Sequence, residues 1–163
     1  MADRQPTILA SLTDQVLRVV NSGAVLAEFP ISTSRYGPGE QQGSECTPRG
    51  RHVIRACIGS GLPEGAVFDA RRSTGERYSP ELARQFPDRD WILTRILWLS
   101  GTEPGRNRLG TVDTMRRYIY IHGTPDSEPI GVPDSHGCIR MRNRSVIELF
   151  DMVGPGTIVD IEP

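Results

Sequence analysis

The sequence predicts one mainly β domain, and three observations support this fold class. Short apolar runs separated by turn residues dominate the first third of the chain, as in a series of β-hairpins. Apolar residues make up 37%, or about 47% once the 17 glycines are added, which is typical of a globular chain. The length of 163 residues fits a single domain over 1–163. A chain of this size buries roughly 70% of its unfolded surface, so its stability requires neither a metal nor a disulfide.

The first third is predicted to form four strands. Two turn segments, Thr13-Asp14 and Asn21-Ser22-Gly23, separate the first three apolar runs. A stretch rich in glycine and proline, 32–44, is predicted to be a loop, and Thr47-Pro48-Arg49-Gly50 forms the turn before the fourth run. The predicted strands are 7–12, 15–20, 24–31 and 51–58.

Residues 60–110 resemble an insertion, because glycine, proline and mixed charges recur through most of them. Ser79-Pro80-Glu81 predicts a short helix that ends near Phe86, since serine caps helices and proline suits their first turn. The apolar run 91–99 fits a buried strand or a helix, and the β-rich surroundings favour a strand. Long irregular segments in compact domains usually have a function, so we predict a substrate-covering flap over 60–110.

The last third is predicted to contain two strands and a helix. The first strand spans 117–121. Asn143 is predicted to cap a helix over 144–153, which has one apolar face. Gly154-Pro155-Gly156 ends this helix, and the last strand spans 157–161.

Charge and composition exclude several classes of protein. The net charge of −1 argues against a protein that binds nucleic acid by neutralising its phosphates. The apolar runs are too short for a transmembrane helix, and the N-terminal residues do not resemble a secretory signal. The odd number of cysteines, three, disfavours a disulfide framework. We therefore expect a cytoplasmic protein with reduced thiols, or a periplasmic one if a leader has been removed.

The candidate chemistry centres on Cys138, which follows His136 by two residues and His122 by sixteen. A thiol near neutral pH needs a base to become a nucleophile, and an imidazole can supply it. Gly137 allows backbone to approach a substrate closely and could direct N–H groups at an oxyanion. The spacing does not decide which histidine is the base. The alternative is a buried structural cysteine beside two hydrogen-bonded histidines.

The remaining cysteines and histidine do not indicate a metal site. No two of these residues have the paired spacing of zinc ligands, so neither a metal nor another cofactor is predicted. Cys57 lies in an apolar run and is predicted to belong to the core. His52 is predicted to be structural or on the surface, and the role of Cys46 stays open.

Nearly the whole chain, except 60–110, resembles the L,D-transpeptidase catalytic domain family, which is also called YkuD-like. The hairpins at 7–31 fit the opening strands of that family, and two further segments carry its motifs. The larger segment is 118–161, and it contains IHGT at 121–124, SHGCIRM at 135–141, Asn143 with the following helix, and GTIVDI at 156–161. The smaller segment is TPRGRHVI at 47–54, which is similar to the strand entry of that family.

The resemblance implies a β-sandwich with a short helix after the catalytic cysteine. It also implies a cysteine acyl-transfer reaction on peptidoglycan. In that reaction, a thiolate attacks the carbonyl between the L-centre of diaminopimelate and the terminal D-alanine of a tetrapeptide stem, and a thioester forms. An amine then gives a cross-link, or water gives a tripeptide.

By the same resemblance, Cys138 is the nucleophile and His122 is the base, oriented by the backbone of Gly123. His136 would support the loop or the oxyanion, with the N–H groups of Gly137 and Cys138 as donors. Arg140 matches an arginine beside the thiol, and a guanidinium suits a carboxylate of the stem. We expect Arg140, Gly123 and Ser135 to contact the substrate.

The sequence is therefore compatible with three functions. We favour an L,D-carboxypeptidase that hydrolyses soluble muropeptides, because no leader is apparent. The first alternative is an L,D-transpeptidase that cross-links peptidoglycan, and the second is a non-catalytic module that binds muropeptides. The predicted partner is a peptidoglycan tetrapeptide stem or muropeptide, without nucleic acid and without a membrane span.

Overall fold

A computed structural model of the chain describes residues 5–163. The strands in this range are β1 (Thr7–Ser11), β2 (Val16–Asn21), β3 (Ala24–Pro30), β4 (Gly50–Ile58), β5 (Ala66–Asp69), β6 (Arg72–Arg77), β7 (Ile92–Gly101), β8 (Tyr120–Thr124), β9 (Ile139–Arg142) and β10 (Ile158–Glu162). The helices are α1 (Pro80–Gln85) and α2 (Asn143–Met152), and a 3-10 turn spans Gly110–Val112. None of the helices in 5–163 is long and apolar enough to cross a membrane.

The strands form one curled sheet that branches at β7. Its main path is β3-β2-β1-β10-β4-β7, in which only β1 and β10 are parallel. β7 also pairs with β5 and with β8, and β8 pairs in parallel with β9. Ser32, just after β3, exchanges backbone hydrogen bonds of 2.9 and 2.8 Å with Arg140 of β9. These bonds bring the two ends of the sheet together, so the predicted mainly β fold is confirmed.

The main core lies inside the curl of the sheet. Alternate residues of β1 and β2 are buried there, as expected for strands with one face in the core. α2 packs against β7, β8 and β9 and buries Val146 and Leu149. A second, smaller cluster occupies the other face of β7 and β8, and it consists of Ala66, Phe68, Ile96 and Tyr120 with Cys138 packed against them.

The flap predicted over 60–110 is wrong for its largest element. β7 lies at the centre of the sheet, and its Leu93, Leu97 and Leu99 are at most 1% exposed. The strand favoured for 91–99 is therefore confirmed as a core strand. β5 and β6 form a hairpin that the sequence did not predict, and β5 contributes Phe68 to the cluster next to Cys138.

The predicted cap of α1 is present in the structure, whereas the predicted cap of α2 is not. Ser79 caps α1 as predicted, since its Oγ accepts the Leu82 N–H at 3.1 Å. Asn143 does not cap α2: the helix begins at Asn143 and its cap position is Arg142. The Asn143 side chain is buried and makes tertiary hydrogen bonds instead. The strand predicted over 117–121 begins later, at Tyr120.

Candidate active site

The parallel pairing of β8 and β9 brings the predicted catalytic residues to one face. His122 lies opposite Arg140, and Ile121 lies opposite Ile139. Side chains alternate along a strand, so the two isoleucines enter the main core while His122, Arg140 and Cys138 share the other face. Cys138 immediately precedes β9 and is two residues from Arg140, so it lies diagonally opposite His122 on this face.

His122 is held in one orientation by its own neighbour. It is 2% exposed, and its Nδ1–H donates to the backbone oxygen of Gly123 at 2.6 Å. Burial lowers the pKa of this imidazole below its ordinary value. The ring is therefore neutral near pH 7, with its proton on Nδ1 and the lone pair of Nε2 available to accept a proton.

Gly123 is buried, and the atoms around it leave no space for a side chain. A Cβ at this position would overlap the Asn143 Oδ1 atom and lie 2.7 Å from the backbone oxygen of Leu93. Asn143 is fixed in turn, because its Nδ2 donates to the Thr124 oxygen at 3.0 Å and its Oδ1 accepts from the Thr94 hydroxyl at 2.6 Å. Gly123 therefore orients His122 as predicted, and its surroundings leave little room for the predicted contact with substrate.

Cys138 is half-buried, and two backbone groups contact its sulfur. The Tyr120 N–H donates to Sγ at 3.3 Å, and the thiol can donate to the Tyr118 oxygen at 3.5 Å. Burial raises the pKa of Cys138 to about 11, and the Tyr120 N–H opposes this rise. The resting nucleophile is therefore a protonated thiol, which needs a neutral base such as His122 to become reactive.

Ser135 holds the loop that carries the thiol. Its hydroxyl donates to the Cys138 oxygen at 2.6 Å and accepts the Gly137 N–H at 3.2 Å. The residue is 1% exposed, so the structure gives it a structural task in place of the predicted contact with substrate. The Gly137 N–H is also occupied here, which corrects the prediction that it is free to bind an oxyanion.

The motif at 47–50 supports the same loop. The Thr47 hydroxyl donates to the Gly137 oxygen at 2.9 Å and accepts the Ser34 N–H at 3.0 Å. Gly137 has φ +129°, and a Cβ there would lie 3.3 Å from the Cys46 oxygen. Glycine suits this position because L side chains rarely adopt its φ, and a Cβ would also make a tight contact with the Cys46 oxygen.

Arg140 is buried between two carboxylates that the sequence did not link to it. Its guanidinium lies 3.0 Å from Asp134 and 3.5 Å from Asp90, and the residue is 8% exposed. These partners already neutralise its charge. To bind a substrate carboxylate as predicted, Arg140 would therefore have to break an internal ion pair.

His136 lies apart from this buried group. It is exposed, its ring centroid is 6.4 Å from that of Tyr36, and it lines a cleft of about 250 Å³ that includes Arg140. Four carboxylates and three arginines line the same cleft: Asp88, Asp90, Glu128, Asp134, Arg35, Arg89 and Arg140. The structure thus distinguishes the two histidines, because it buries His122 and leaves His136 at the rim.

The other singled-out residues lie outside this arrangement. His52 is fully buried, and its ring nitrogens contact the Gly50 oxygen and the Thr114 hydroxyl, both at 2.9 Å. Burial lowers its pKa to about 4, so its predicted structural role is confirmed. Cys57 packs against the main core as predicted. The region 5–163 holds no cluster of three or more His, Cys, Asp or Glu side chains suited to a metal.

Cys46 lies in the loop beside Gly137, and its backbone is held by an arginine that sequence reasoning missed. The Arg117 guanidinium donates to the Cys46 oxygen at 2.6 Å. Tyr118 and Tyr120 were also missed, because their contacts with Cys138 are made by backbone atoms. Asp90 and Asp134 lie in loops, so no local pattern marks them as partners of Arg140.

A family model of the L,D-transpeptidase catalytic domain, YkuD, matches residues 5–161. The chain belongs to this L,D-transpeptidase family. Two YkuD proteins are similar over short segments: that of Bacillus licheniformis is 48% identical over 48 residues, and that of Bacillus subtilis is 48% identical over 46 residues. These segments cover 29% and 28% of this chain, and the same shares of the two relatives.

Solved L,D-transpeptidases share the fold. An L,D-transpeptidase from Mycobacterium smegmatis matches with a TM-score of 0.56 and 20% identity, over 98% of this chain and 59% of that chain. L,D-transpeptidase 3 from Mycobacterium tuberculosis, in complex with a faropenem-derived adduct, matches with a TM-score of 0.60 and 16% identity, over 97% of this chain and 61% of that chain. The chain thus spans about three fifths of these L,D-transpeptidases.

Proposed function

We propose that this protein is a cysteine acyl-transfer enzyme that cleaves the bond between diaminopimelate and D-alanine in peptidoglycan tetrapeptide stems. One observation supports this most directly: a buried, neutral His122, fixed through Nδ1, shares a strand face with the thiol of Cys138. Family membership supports the choice of an L,D bond as the target.

In the proposed reaction, Nε2 of His122 takes the thiol proton as the sulfur attacks the scissile carbonyl carbon. The oxyanion collapses, the C–N bond breaks, and the imidazolium gives its proton to the leaving amine of D-alanine. A thioester on Cys138 remains. His122 then takes a proton from water, which attacks the thioester carbonyl. The C–S bond breaks, the imidazolium returns the proton to the sulfur of Cys138, and the tripeptide is released. With the Gly137 N–H occupied, the predicted Cys138 N–H remains a candidate to stabilise the oxyanion.

We further propose that hydrolysis is the main outcome, as in an L,D-carboxypeptidase of muropeptide recycling. The cleft of about 250 Å³ at Arg140 is lined by neither Cys138 nor His122, so a peptide bound in it would not lie directly against the thiol. Cys46, Cys57 and Cys138 are all free thiols, which supports a location in the reducing cytoplasm.

Transpeptidation is the second candidate, and the charge of the same cleft favours it. Four carboxylates against three arginines would attract the ammonium group of an acceptor peptide. An amine held there would reach the thioester at a high effective concentration compared with a free amine in solution.

Product analysis separates these candidates. We expect purified protein with a disaccharide tetrapeptide to release tripeptide and D-alanine, as measured by mass spectrometry. We expect Cys138→Ala to abolish this reaction, while Cys46→Ala and Cys57→Ala, the matched controls, retain it. A predominant cross-linked dimer that grows with added acceptor would support transpeptidation. Binding without turnover, unchanged in Cys138→Ala, would support a binding module.

Fractionation of cells expressing the full-length gene tests the proposed cytoplasmic location.

A further inference from the structure

An aromatic cluster flanks the thiol, and it carries an arginine from the turn between β5 and β6. The Arg71 guanidinium carbon lies 4.9 Å from the centroid of the Trp98 ring and 4.7 Å from that of the Tyr118 ring. Its Nη1 donates to the Tyr120 hydroxyl at 2.9 Å. Two rings and one hydroxyl therefore fix the position of this guanidinium.

Most of the hydrogen-bonding capacity of Arg71 is unused. A guanidinium has five N–H donors, and within residues 5–163 this one makes a single hydrogen bond, to the neutral Tyr120 hydroxyl. No carboxylate of this range lies within 4.0 Å of it. Arg140, in contrast, has two carboxylate partners. Among residues 5–163, Arg71 is thus a positioned cation without a carboxylate partner.

The same aromatic residues connect Arg71 to the nucleophile. Tyr118 and Tyr120, which contact Arg71 through their side chains, contact the sulfur of Cys138 through their backbone oxygen and N–H. The Tyr120 ring also packs in the cluster with Cys138. The Tyr120 side chain thus separates the Arg71 guanidinium from the Cys138 thiol. A short peptide bound at the thiol could therefore extend as far as Arg71.

We propose that Arg71, fixed on the rings of Tyr118 and Trp98, binds a carboxylate of the peptide substrate. This inference rests on the proposed function. Two carboxylates flank the scissile bond and have the required chemistry: the terminal carboxylate of the leaving D-alanine and the free carboxylate on the D-centre of diaminopimelate. A guanidinium with unused parallel donors can bind either of them in a bidentate manner.

A purely structural role for Arg71 gives different expectations. Contacts between a partly exposed cation and aromatic rings are weak, and removing them would affect all substrates alike. A carboxylate-binding role predicts instead that the loss depends on one carboxylate of the substrate. Amidation of that carboxylate distinguishes the two roles.

The test compares three peptides with wild-type protein, Arg71→Gln and Arg71→Lys. The peptides are the free tetrapeptide, its C-terminal amide, and the form amidated at the D-centre of diaminopimelate. We expect Arg71→Gln to lower kcat/KM for the free peptide about ten- to hundred-fold, mainly through KM, since a charge-assisted hydrogen bond is lost. Arg71→Lys should recover part of this loss, because the charge returns without the planar fork.

The amidated peptides identify the carboxylate. We expect the peptide that lacks the bound carboxylate to react equally with wild type and Arg71→Gln. Arg72→Gln is the matched control, since Arg72 is an exposed neighbour without an ion pair in residues 5–163, and it should behave as wild type. An equal loss for all three peptides, or no loss for any, would overturn the proposal.

Calorimetry of peptide binding to Cys138→Ala keeps this inference separate from the proposed function. If no peptide is turned over by wild type, the proposed function fails. Binding that weakens in Cys138→Ala/Arg71→Gln for the free peptide and for one amidated peptide, but not for the other, would then still support the role of Arg71. Unfolding temperatures within a few degrees of wild type would show that Arg71→Gln folds.

Discussion

The Nδ1 atom of His122 lies 2.6 Å from the backbone oxygen of Gly123, and this contact fixes the tautomer of the ring. Because Nδ1 donates its proton, Nε2 is left as an acceptor for the thiol of Cys138. The role of His122 as a base therefore depends on the backbone oxygen of Gly123. A substitution at position 123 keeps this oxygen but can shift its position.

The first prediction concerns pH. Burial lowers the pKa of His122 and raises that of Cys138 to about 11, so the resting pair is neutral. We expect kcat/KM to be retained above the ordinary histidine pKa of 6.5 and to be lost as the pH falls through the lowered pKa, where the imidazole becomes protonated. His122→Ala should reduce turnover by about 10²–10⁴-fold.

Alkylation of Cys138 by iodoacetamide checks the same assignment in the free protein. A neutral thiol should react slowly at pH 7, and the rate should increase steadily toward the thiol pKa. Equal rates at pH 6 and pH 9 would show a thiolate–imidazolium pair instead. Should His136→Ala rather than His122→Ala abolish turnover, the assignment of the base would be reversed.

The second prediction concerns Gly123. A methyl group there would meet Asn143 and the backbone of Leu93, so neighbouring strands would have to move. We expect Gly123→Ala to destabilise the protein by about 1–3 kcal/mol and to lower kcat as the acceptor of His122 shifts. Gly154→Ala is the control, because a Cβ there has no neighbour within 4 Å. Urea denaturation and kinetics measure both effects, and equal behaviour of the two variants would contradict the close packing at Gly123.

The third prediction concerns the central strand β7. Leu97 is fully buried in the main core, and Leu109, outside the strand, is 55% exposed. We expect Leu97→Ala to cost about 2–5 kcal/mol of unfolding free energy, because it leaves a cavity. Leu109→Ala should change stability by no more than about 0.5 kcal/mol. A small effect at Leu97 would instead support the interpretation of this stretch as part of a substrate-covering flap.

The fourth prediction separates two roles of Arg140. If its main task is to bridge Asp134 and Asp90, Arg140→Gln should lower stability by about 1–3 kcal/mol. In a double-mutant cycle with Asp134→Asn, the two changes should couple by about 0.5–3 kcal/mol. A raised KM with unchanged stability would instead support the grip on a substrate carboxylate that the sequence predicted.

The sequence alone determined the elements that depend on neighbouring residues. The turns at Thr13-Asp14 and Asn21–Gly23 located the opening hairpins, and the Ser79-Pro80 pair located α1. These signals are local, since a turn or a helix cap needs particular residues within three or four positions. Cys138 was also singled out by a local motif, and that motif carries the likeness to the family whose model matches residues 5–161.

Only the tertiary structure decided the features that depend on distant partners. The central position of β7 follows from its pairing with three strands, and the buried setting of His122 follows from the elements packed over it. Asn143 lost its predicted capping role because Thr94 and Thr124, far away in sequence, provide buried hydrogen bonds.

The availability of each arginine to a ligand was decided in the same way. Nineteen arginines are equivalent in the sequence, where any of them could bind a carboxylate. Folding brings Asp134 and Asp90 to Arg140, and it brings aromatic rings and a neutral hydroxyl to Arg71. Whether a guanidinium remains available to a ligand depends on which groups the fold places within a few ångströms of it, and residue spacing along the chain does not contain that information.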